Sequence, residues 1–187
     1  VLGVEPDTRI AGLARKAGIP TVSEFFTPLM AKKLIKKYGQ ADVVTATNVF
    51  AHIDDIHAVA QGVKTLLKRE GVFIVEVPYL VDFLDKNLFD TVYHEHLSYF
   101  SVSALSRFFE GVGMKIVDVE RVASHGGSLR VFVKKKSATG TPSVATQELL
   151  ALEELKGLRE ERVYLEYKLR ILENRAKLLS LLTGLKR

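Results

Sequence analysis

The sequence contains no cysteine and no long uninterrupted run of apolar residues. Without cysteine, neither disulfide bonds nor thiolate metal sites can form within these 187 residues, and a cytoplasmic location is favoured. No stretch approaches the roughly 20 apolar residues that cross a bilayer, and no secretory signal is recognised, so we expect no membrane partner. With 47% hydrophobic and 26% charged residues, the composition is that of a globular domain.

The net charge of +5 does not have the distribution typical of nucleic-acid binding. One basic group lies on a predicted helix at Lys32, Lys33, Lys36 and Lys37, and the basic residues of the tail alternate with glutamates. Because no basic stripe alternates with aromatic residues, we expect no nucleic-acid partner. A smaller anionic ligand, such as a nucleotide-linked substrate, remains open.

Strand-like and helix-like segments alternate along the first two thirds of the chain. Strands are predicted at residues 1–4, 20–25, 42–47 and 72–77, with helices between them and a further helix at 103–109. The helix before the fourth strand is expected to begin near Ile56 and to end near Gly71. Two last strands flank the turn at 124–127 and predict a hairpin. The pattern predicts an α/β, Rossmann-like fold with a mostly parallel sheet, helices on both faces and a terminal antiparallel hairpin. We expect this domain to cover residues 1–136, followed by a linker at 137–144 and a helical connector at 145–187.

The unusual polar residues follow strands, on the side where open parallel sheets bind ligands. Glu5 follows the first strand, Asn48 and His52 follow the third, and the block Tyr93-His94-Glu95-His96 follows the fourth. His125 lies in the hairpin turn. Four of the five histidines thus fall on one predicted edge of the sheet. Because histidine titrates near neutrality, this concentration predicts a cleft that handles protons.

Four residues are candidates for contact with an adenosine-containing cofactor. Glu5 can accept hydrogen bonds from both ribose hydroxyls, or it is a carboxylate that stabilises a helix N-terminus. Asp42 can reach the adenine edge or merely cap a turn. Phe25, next to Phe26, can stack on adenine or belong to the core. Asn48 is the fourth candidate.

The block of residues 93–96 allows three interpretations. It is a polar surface loop, a metal site in which an extended backbone points His94 and His96 the same way, or an acid–base centre. We favour the acid–base centre, because the ligand spacings of known metal sites are absent, and we expect no metal.

Several motifs together resemble the sugar C-methyltransferases that act on nucleotide-linked 4-keto-deoxysugars. They are Val4-Glu5-Pro6, Asn48 to Ile53 (NVFAHI), Glu76 to Tyr79 (EVPY), Tyr93 to Phe100 (YHEHLSYF) and His125 to Arg130 (HGGSLR). They occur in order between residues 1 and 136. The pairing of the YHEHLSYF and HGGSLR blocks is the specific part of this resemblance.

The resemblance implies a reaction and a role for each candidate residue. S-adenosylmethionine (SAM) supplies the methyl group, and an enzyme base removes the proton beside the sugar ketone to give an enolate. His96 is the implied base, Tyr93 assists or exchanges protons, and Glu95 and His52 orient groups or relay protons. The substrate would contact His94, His125 and Tyr79.

Other features leave alternatives open. The glycine-rich SAM loop of that family is absent, because the chain begins with Val1 at what would be the second strand. We therefore expect an upstream segment, and weak SAM binding by residues 1–187 alone. The tail leucines 158, 165, 169, 172, 179 and 182 could mediate homo-oligomerisation. A non-catalytic adaptor that uses this tail, or a metal-dependent enzyme that uses His94 and His96, are the competing hypotheses.

Overall fold

The computed structural model describes residues 1–185, so the last two residues of the expected tail connector lie outside the described residues. The described residues form six strands and seven α-helices, which alternate as far as the fourth strand. The strands are β1 (Gly3–Val4), β2 (Thr21–Val22), β3 (Ala41–Thr47), β4 (Leu67–Pro78), β5 (Met114–Val122) and β6 (Ser128–Lys135). The helices are α1 (Thr8–Lys16), α2 (Pro28–Tyr38), α3 (Ile56–Leu66), α4 (Leu80–Asp85), α5 (Val102–Val112), α6 (Val144–Leu155) and α7 (Glu161–Leu185).

The strands form two sheets. β1 and β2 form a parallel pair, and the larger sheet has the order β3-β4-β6-β5. β3 runs parallel to β4, whereas β6 is antiparallel to both β4 and β5. The α/β class, the terminal antiparallel hairpin and the C-terminal helices are therefore confirmed.

β1 and β3 are not hydrogen-bonded to each other, although both pack beneath α2. The shared core there contains Met30, Ala31 and Leu34 of α2 with Leu66, against apolar residues of β1, β2 and β3. Val43 of β3 is half exposed. Side chains beneath α2 thus hold this part of the molecule together, and no backbone pairing between β1 and β3 occurs among residues 1–185.

The helix N-termini follow the local sequence signals. Thr27 caps α2 with its hydroxyl and Pro28 occupies the first helical position, as the Thr-Pro pair predicts. Asp7 caps α1 by accepting from the amides of Arg9 and Ile10. These caps fix where the chain turns after β1 and β2, and so fix the loops that face the candidate site.

One predicted boundary is wrong. The helix expected to continue to Gly71 ends at Leu66, and β4 starts at once at Leu67. Leu67 pairs with Ala41, and the side-chain amide of Gln40 donates to the carbonyls of Thr65 and Leu67. Pairing with β3 therefore overrides the helical pattern.

The C-terminal helices pack onto the sheet domain. Glu153 of α6 is buried, and its two carboxylate oxygens accept from the amides of Val102 and Ser103 at 2.6 and 2.9 Å, at the start of α5. Tyr167 of α7 packs against Phe83 of α4, with ring centroids 5.2 Å apart. Within residues 1–185, no helix is both long and apolar enough to cross a membrane.

Candidate active site

The segment from Leu88 to Phe100 lies across the carboxyl ends of β3 and β4. Its C-terminal part is held by two backbone hydrogen bonds, in which the amide of Leu97 donates to Ala51 and the amide of Leu80 donates to Phe100. Ala51 belongs to a short 3-10 turn, Phe50–His52, that directly follows β3. The topology therefore brings the YHEHLSYF block and the loop after β3 to one edge of the sheet, as the sequence predicts.

His96 lies between two oxygen atoms. Its Nδ1 is 2.8 Å from the backbone carbonyl oxygen of Thr91, and its Nε2 is 3.1 Å from the hydroxyl oxygen of Tyr93. The rings of Tyr93 and His96 pack closely, with centroids 4.3 Å apart. A carbonyl oxygen can only accept a hydrogen bond, so Nδ1 must carry the proton. In neutral His96, Nε2 then holds the free lone pair and accepts from Tyr93.

His52 completes a group of three rings. Its imidazole lies 5.0 Å from that of His96, measured between ring centroids. The two rings come from different loops, joined by the hydrogen bond between Leu97 and Ala51. The structure thus brings three of the four expected catalytic residues together: His96, Tyr93 and His52.

His94 and Glu95 form no hydrogen bond with this group among the described residues, although the ring of His94 lies 6.3 Å from that of Tyr93, measured between ring centroids. The side chain of His94 is 90% exposed, and its Nε2 lies 4.0 Å from a carboxylate oxygen of Glu95, which is also exposed. A tight turn, in which the amide of His96 donates to the carbonyl of Tyr93, separates the two histidines. The block is therefore not extended, and the shared direction of His94 and His96 that a metal site requires is not found. No cluster of three potential metal ligands occurs among residues 1–185.

A buried carboxylate lies behind the loop that carries His125. Glu76, near the end of β4, accepts from the Ser124 hydroxyl at 2.8 Å and pairs with the guanidinium of Arg130 at 3.0 Å. The Ser124 hydrogen bond and the Arg130 charge hold the pKa of Glu76 below its usual range. His125 itself is exposed and has a positive φ of 51°. Glu76 thus fixes the turn that presents His125.

Tyr79 cannot contact a substrate in this structure, which corrects the expectation from the sequence. Its side chain is fully buried between β4 and α4, because the chain turns inward after Pro78. Burial raises the pKa of its hydroxyl. The neighbouring buried carboxylate of Asp82 binds Arg121 through two hydrogen bonds of 2.8 Å. A side chain on Gly127 would collide with Asp82, which explains a glycine in that turn.

Asp42 also departs from its expected role. It lies at the amino end of β3, whereas the candidate site lies at the carboxyl end. Its side chain is 78% exposed and forms a surface ion pair with Lys68 at 2.8 Å. Asp42 therefore does not join the other candidate residues.

The remaining cofactor candidates follow the carboxyl ends of the strands. Glu5 follows β1, and one carboxylate oxygen accepts from the amide of Asp7 at 2.8 Å, at the start of α1. Phe25 follows β2 and is 75% exposed, whereas its neighbour Phe26 packs into the core. Phe26 is thus part of the core, whereas stacking of Phe25 on adenine stays a prediction.

Two polar side-chain atoms after these strands indicate whether the residues present could bind an adenosine group. Ser23 Oγ and Asn48 Oδ1 are buried and have no hydrogen-bond partner among the described residues. Asn48 adopts a positive φ of 53°, which asparagine tolerates better than most residues. Buried polar atoms normally find a partner, so these two fit a bound polar ligand.

The sequence does not reveal every residue that builds this edge. Thr91 and Tyr99 contribute through a backbone carbonyl and a phenol in an irregular segment, for which no spacing rule exists. Glu76 and Asp82 carry more signal, because a carboxylate inside an apolar strand or helix needs a cationic partner. Arg130 and Arg121 lie on the hairpin and are found only once the sheet pairing is known, whereas Lys86, which also pairs with Asp82, lies four residues further along the chain.

Comparison with protein families gives two matches. Residues 2–119 match a family described as a methyltransferase domain, and residues 123–187 match a family described as a C-methyltransferase C-terminal domain. The chain is also 42% identical over 184 residues to the C-methyltransferase NovU of Streptomyces niveus. That alignment covers 98% of this chain and 44% of NovU, so the chain spans less than half the length of this relative.

Comparison with solved structures shows the fold. A SAM-dependent methyltransferase from Anabaena variabilis aligns with a TM-score of 0.55 at 16% identity, over 72% of this chain and 68% of that one. A possible histamine N-methyltransferase from Thermotoga maritima aligns with a TM-score of 0.52 at 19% identity, over 72% of each chain.

Proposed function

Because the chain belongs to the methyltransferase domain family, we propose that its protein is a SAM-dependent C-methyltransferase. Its substrate would be a nucleotide-linked deoxysugar with a ketone, methylated on the carbon beside that ketone. The name of the C-methyltransferase relative supports transfer to carbon. The motifs around residues 93–100 and 125–130, described above, support the sugar substrate.

The observation that carries this proposal is the hydrogen-bonded pair of Tyr93 and His96. A proton beside a ketone is weakly acidic, so its removal requires a positioned base with a free lone pair. Nε2 of neutral His96 has that lone pair, because the Thr91 carbonyl holds the proton on Nδ1. Since Tyr93 donates to Nε2, the substrate proton reaches His96 either directly after Tyr93 moves aside, or through the Tyr93 hydroxyl.

The hydrogen bond between Tyr93 and His96 supports the relay through Tyr93, because the hydroxyl occupies the position that a substrate proton would need to reach Nε2 directly. At rest the proton of this hydrogen bond belongs to the Tyr93 oxygen, and Nε2 accepts it. As a substrate C–H bond breaks, its proton passes to the Tyr93 oxygen while the Tyr93 proton passes to Nε2. The C–H electron pair remains on the substrate as an enolate, and the protonated ring of His96 lies 5.0 Å from that of His52, measured between ring centroids.

The residues at the strand ends fit SAM as the methyl donor. Glu5 would bind the ribose hydroxyls, Phe25 would stack on adenine, and Ser23 and Asn48 would bind polar groups with their free oxygens. Bound SAM supplies an electrophilic methyl group for the enolate carbon. Holding the two reactants in line contributes roughly 7–11 kcal/mol in well-oriented systems.

A direct assay tests this function. The full-length protein is incubated with SAM and a nucleoside-diphosphate 4-keto-deoxysugar, and the product is analysed by mass spectrometry and NMR. We expect one added methyl group on the carbon beside the ketone and stoichiometric S-adenosylhomocysteine. Methylation at oxygen or nitrogen, or none with any keto sugar, would reject the proposal.

The tail supports a proposal about assembly. Leu165, Leu169, Leu172, Leu179 and Leu182 of α7 are exposed at helical spacing, whereas Leu158 packs in the core and leaves this set. We propose that the exposed leucines contribute to a homo-oligomer, which sedimentation velocity over a concentration series tests. The boundaries of the three predicted segments and the cytoplasmic location stay predictions.

A further inference from the structure

The backbone carbonyl of Thr91 accepts two side-chain hydrogen bonds. One comes from Nδ1 of His96 at 2.8 Å, and the other from the hydroxyl of Tyr99 at 3.1 Å. A carbonyl oxygen has two lone pairs, so these two donors fill its capacity. The direction of the carbonyl is therefore set jointly by the catalytic imidazole and by Tyr99, which has no role in proton transfer.

Tyr99 is itself held in place from the opposite side. Its ring packs against Phe83 of α4 at 5.0 Å between centroids, and Phe83 packs against Tyr167 of α7 at 5.2 Å. Tyr167 is buried. Burial also raises the pKa of Tyr99, so its hydroxyl remains a donor throughout the neutral range. A chain of three packed rings thus connects the C-terminal helix to the Thr91 carbonyl.

We propose that Tyr99 is a positioning residue, which fixes the Thr91 carbonyl and thereby the tautomer and orientation of His96. The helix α7 supports Tyr99 through Tyr167 and Phe83. This inference rests on the proposed function for the role of His96. Its structural content concerns a hydrogen-bond geometry and can be measured without any turnover.

The Thr91 carbonyl belongs to a short 3-10 turn, Phe89–Thr91, which receives no support from a sheet. The hydroxyl of Thr91 donates to the carbonyl of Leu88, and the amide of Thr91 also donates to Leu88. These bonds restrain the turn from its N-terminal side. The Tyr99 hydroxyl restrains the Thr91 carbonyl oxygen, to which His96 donates. Loss of this hydroxyl should therefore make the position of that oxygen less well defined, while the turn itself is largely kept.

The experiment is NMR of the histidine ring nitrogens in isotope-labelled full-length protein, at a pH where His96 is neutral. In the wild type we expect the proton on Nδ1 and a free lone pair on Nε2. In Tyr99→Phe the packed ring remains and the hydroxyl is lost, so we expect the other tautomer to become detectable. We expect kcat for methyl transfer to fall about three- to tenfold with KM nearly unchanged, as for the loss of one hydrogen bond.

Tyr164→Phe is the matched control. It also removes a phenol hydroxyl that donates to a backbone carbonyl, that of Leu158 at 2.7 Å, but on α7. We expect it to leave the His96 tautomer and kcat unchanged. A wild-type His96 with its proton on Nε2 overturns the proposal, and this result needs no variant to fold. A Tyr99→Phe protein indistinguishable from Tyr164→Phe in tautomer and kcat overturns it as well. A wild type without methyl transfer rejects the proposed function, while the tautomer comparison still tests Tyr99.

Discussion

At the scale of single residues, the candidate site depends on which atoms are left free after the local hydrogen bonds are formed. The Thr91 carbonyl accepts a hydrogen bond from Nδ1–H of His96, so the second nitrogen, Nε2, can act as a base. Glu76 accepts a hydrogen bond from the Ser124 hydroxyl and forms an ion pair with Arg130. Because its carboxylate oxygens are already bound, Glu76 positions the adjacent turn and does not act as a base.

Replacing Tyr93 by phenylalanine tests the proton relay. The ring still packs on His96, but no hydroxyl lies at Nε2, so proton removal loses the relay atom. We expect kcat to fall at least about tenfold, within the range typical of acid–base groups. The measurement is steady-state methyl transfer by the full-length protein. Tyr38→Phe, at the exposed end of α2, is the control, and equal kcat values for the two variants would exclude a relay through Tyr93.

Glu76→Gln tests the buried carboxylate through the pH dependence of stability. Because the pKa of Glu76 is lowered in the folded protein, its contribution is present above the unfolded pKa of about 4.3 and is lost as pH falls through the folded value. We expect the variant to be about 2–4 kcal/mol less stable than the wild type at pH near 7, with the difference shrinking in acid. Denaturant unfolding at pH near 7 and in acid measures the free energy of unfolding of both proteins. Glu148→Gln, an exposed carboxylate of α6, should show no such difference, and a gap that stays constant with pH would contradict the assignment.

At the scale of elements, the spacing of hydrophobic residues and the N-cap residues predict the helices well, because both signals depend only on residues that are close in sequence. The caps at Asp7 and Thr27 and the hairpin turn are examples. The start of β4 is missed, since it depends on pairing of Leu67 with Ala41 across 26 residues of sequence. The prediction that Tyr79 contacts the substrate is wrong for a related reason. The motif EVPY lies beside the candidate site, but the sequence does not show that the Tyr79 side chain points into the core.

The contact between α6 and α5 yields a prediction at this scale. Glu153 caps the first amides of α5, the helix that begins just after the YHEHLSYF block. We expect Glu153→Ala to destabilise the protein by about 2–3 kcal/mol, because two buried amides lose a charged acceptor. Denaturant unfolding of the full-length protein is the measurement. Glu154→Ala, one position along on the exposed side of α6, should change stability by less than about 0.5 kcal/mol. Similar losses in both variants would mean that the cap contributes nothing specific.

At the scale of the whole molecule, the candidate residues follow the carboxyl ends of strands in both sheets. Glu5, Phe25, Asn48, His52 and His96 all follow strands or the segment crossing them, which the alternation of strands and helices predicts from sequence. Asp42 is the exception, because it begins a strand and so lies at the opposite edge. The rule about strand ends thus predicts the site better than residue type alone.

Cofactor binding tests this arrangement. Glu5→Ala should weaken the binding of S-adenosylhomocysteine by the full-length protein by about 1.5–3 kcal/mol, the value of hydrogen bonds to a charged acceptor. Asp42→Ala should leave the affinity unchanged, because its ion pair with Lys68 is at the other end of β3. Isothermal titration measures both. An affinity that depends on Asp42 and not on Glu5 would place the cofactor elsewhere, and Glu5 would then be only a carboxylate at the start of α1.

The central claim is that Nε2 of His96 drives removal of the proton beside the substrate ketone, by accepting a proton through the Tyr93 hydroxyl. The most direct measurement is exchange of that proton with deuterated solvent, followed by NMR in the full-length protein with the keto sugar and S-adenosylhomocysteine. We expect the wild type to exchange the proton and His96→Gln to exchange it about 10²–10⁴-fold more slowly. His57→Gln, on the exposed surface of α3, should exchange like the wild type. Exchange in His96→Gln within about tenfold of the wild type would contradict the claim.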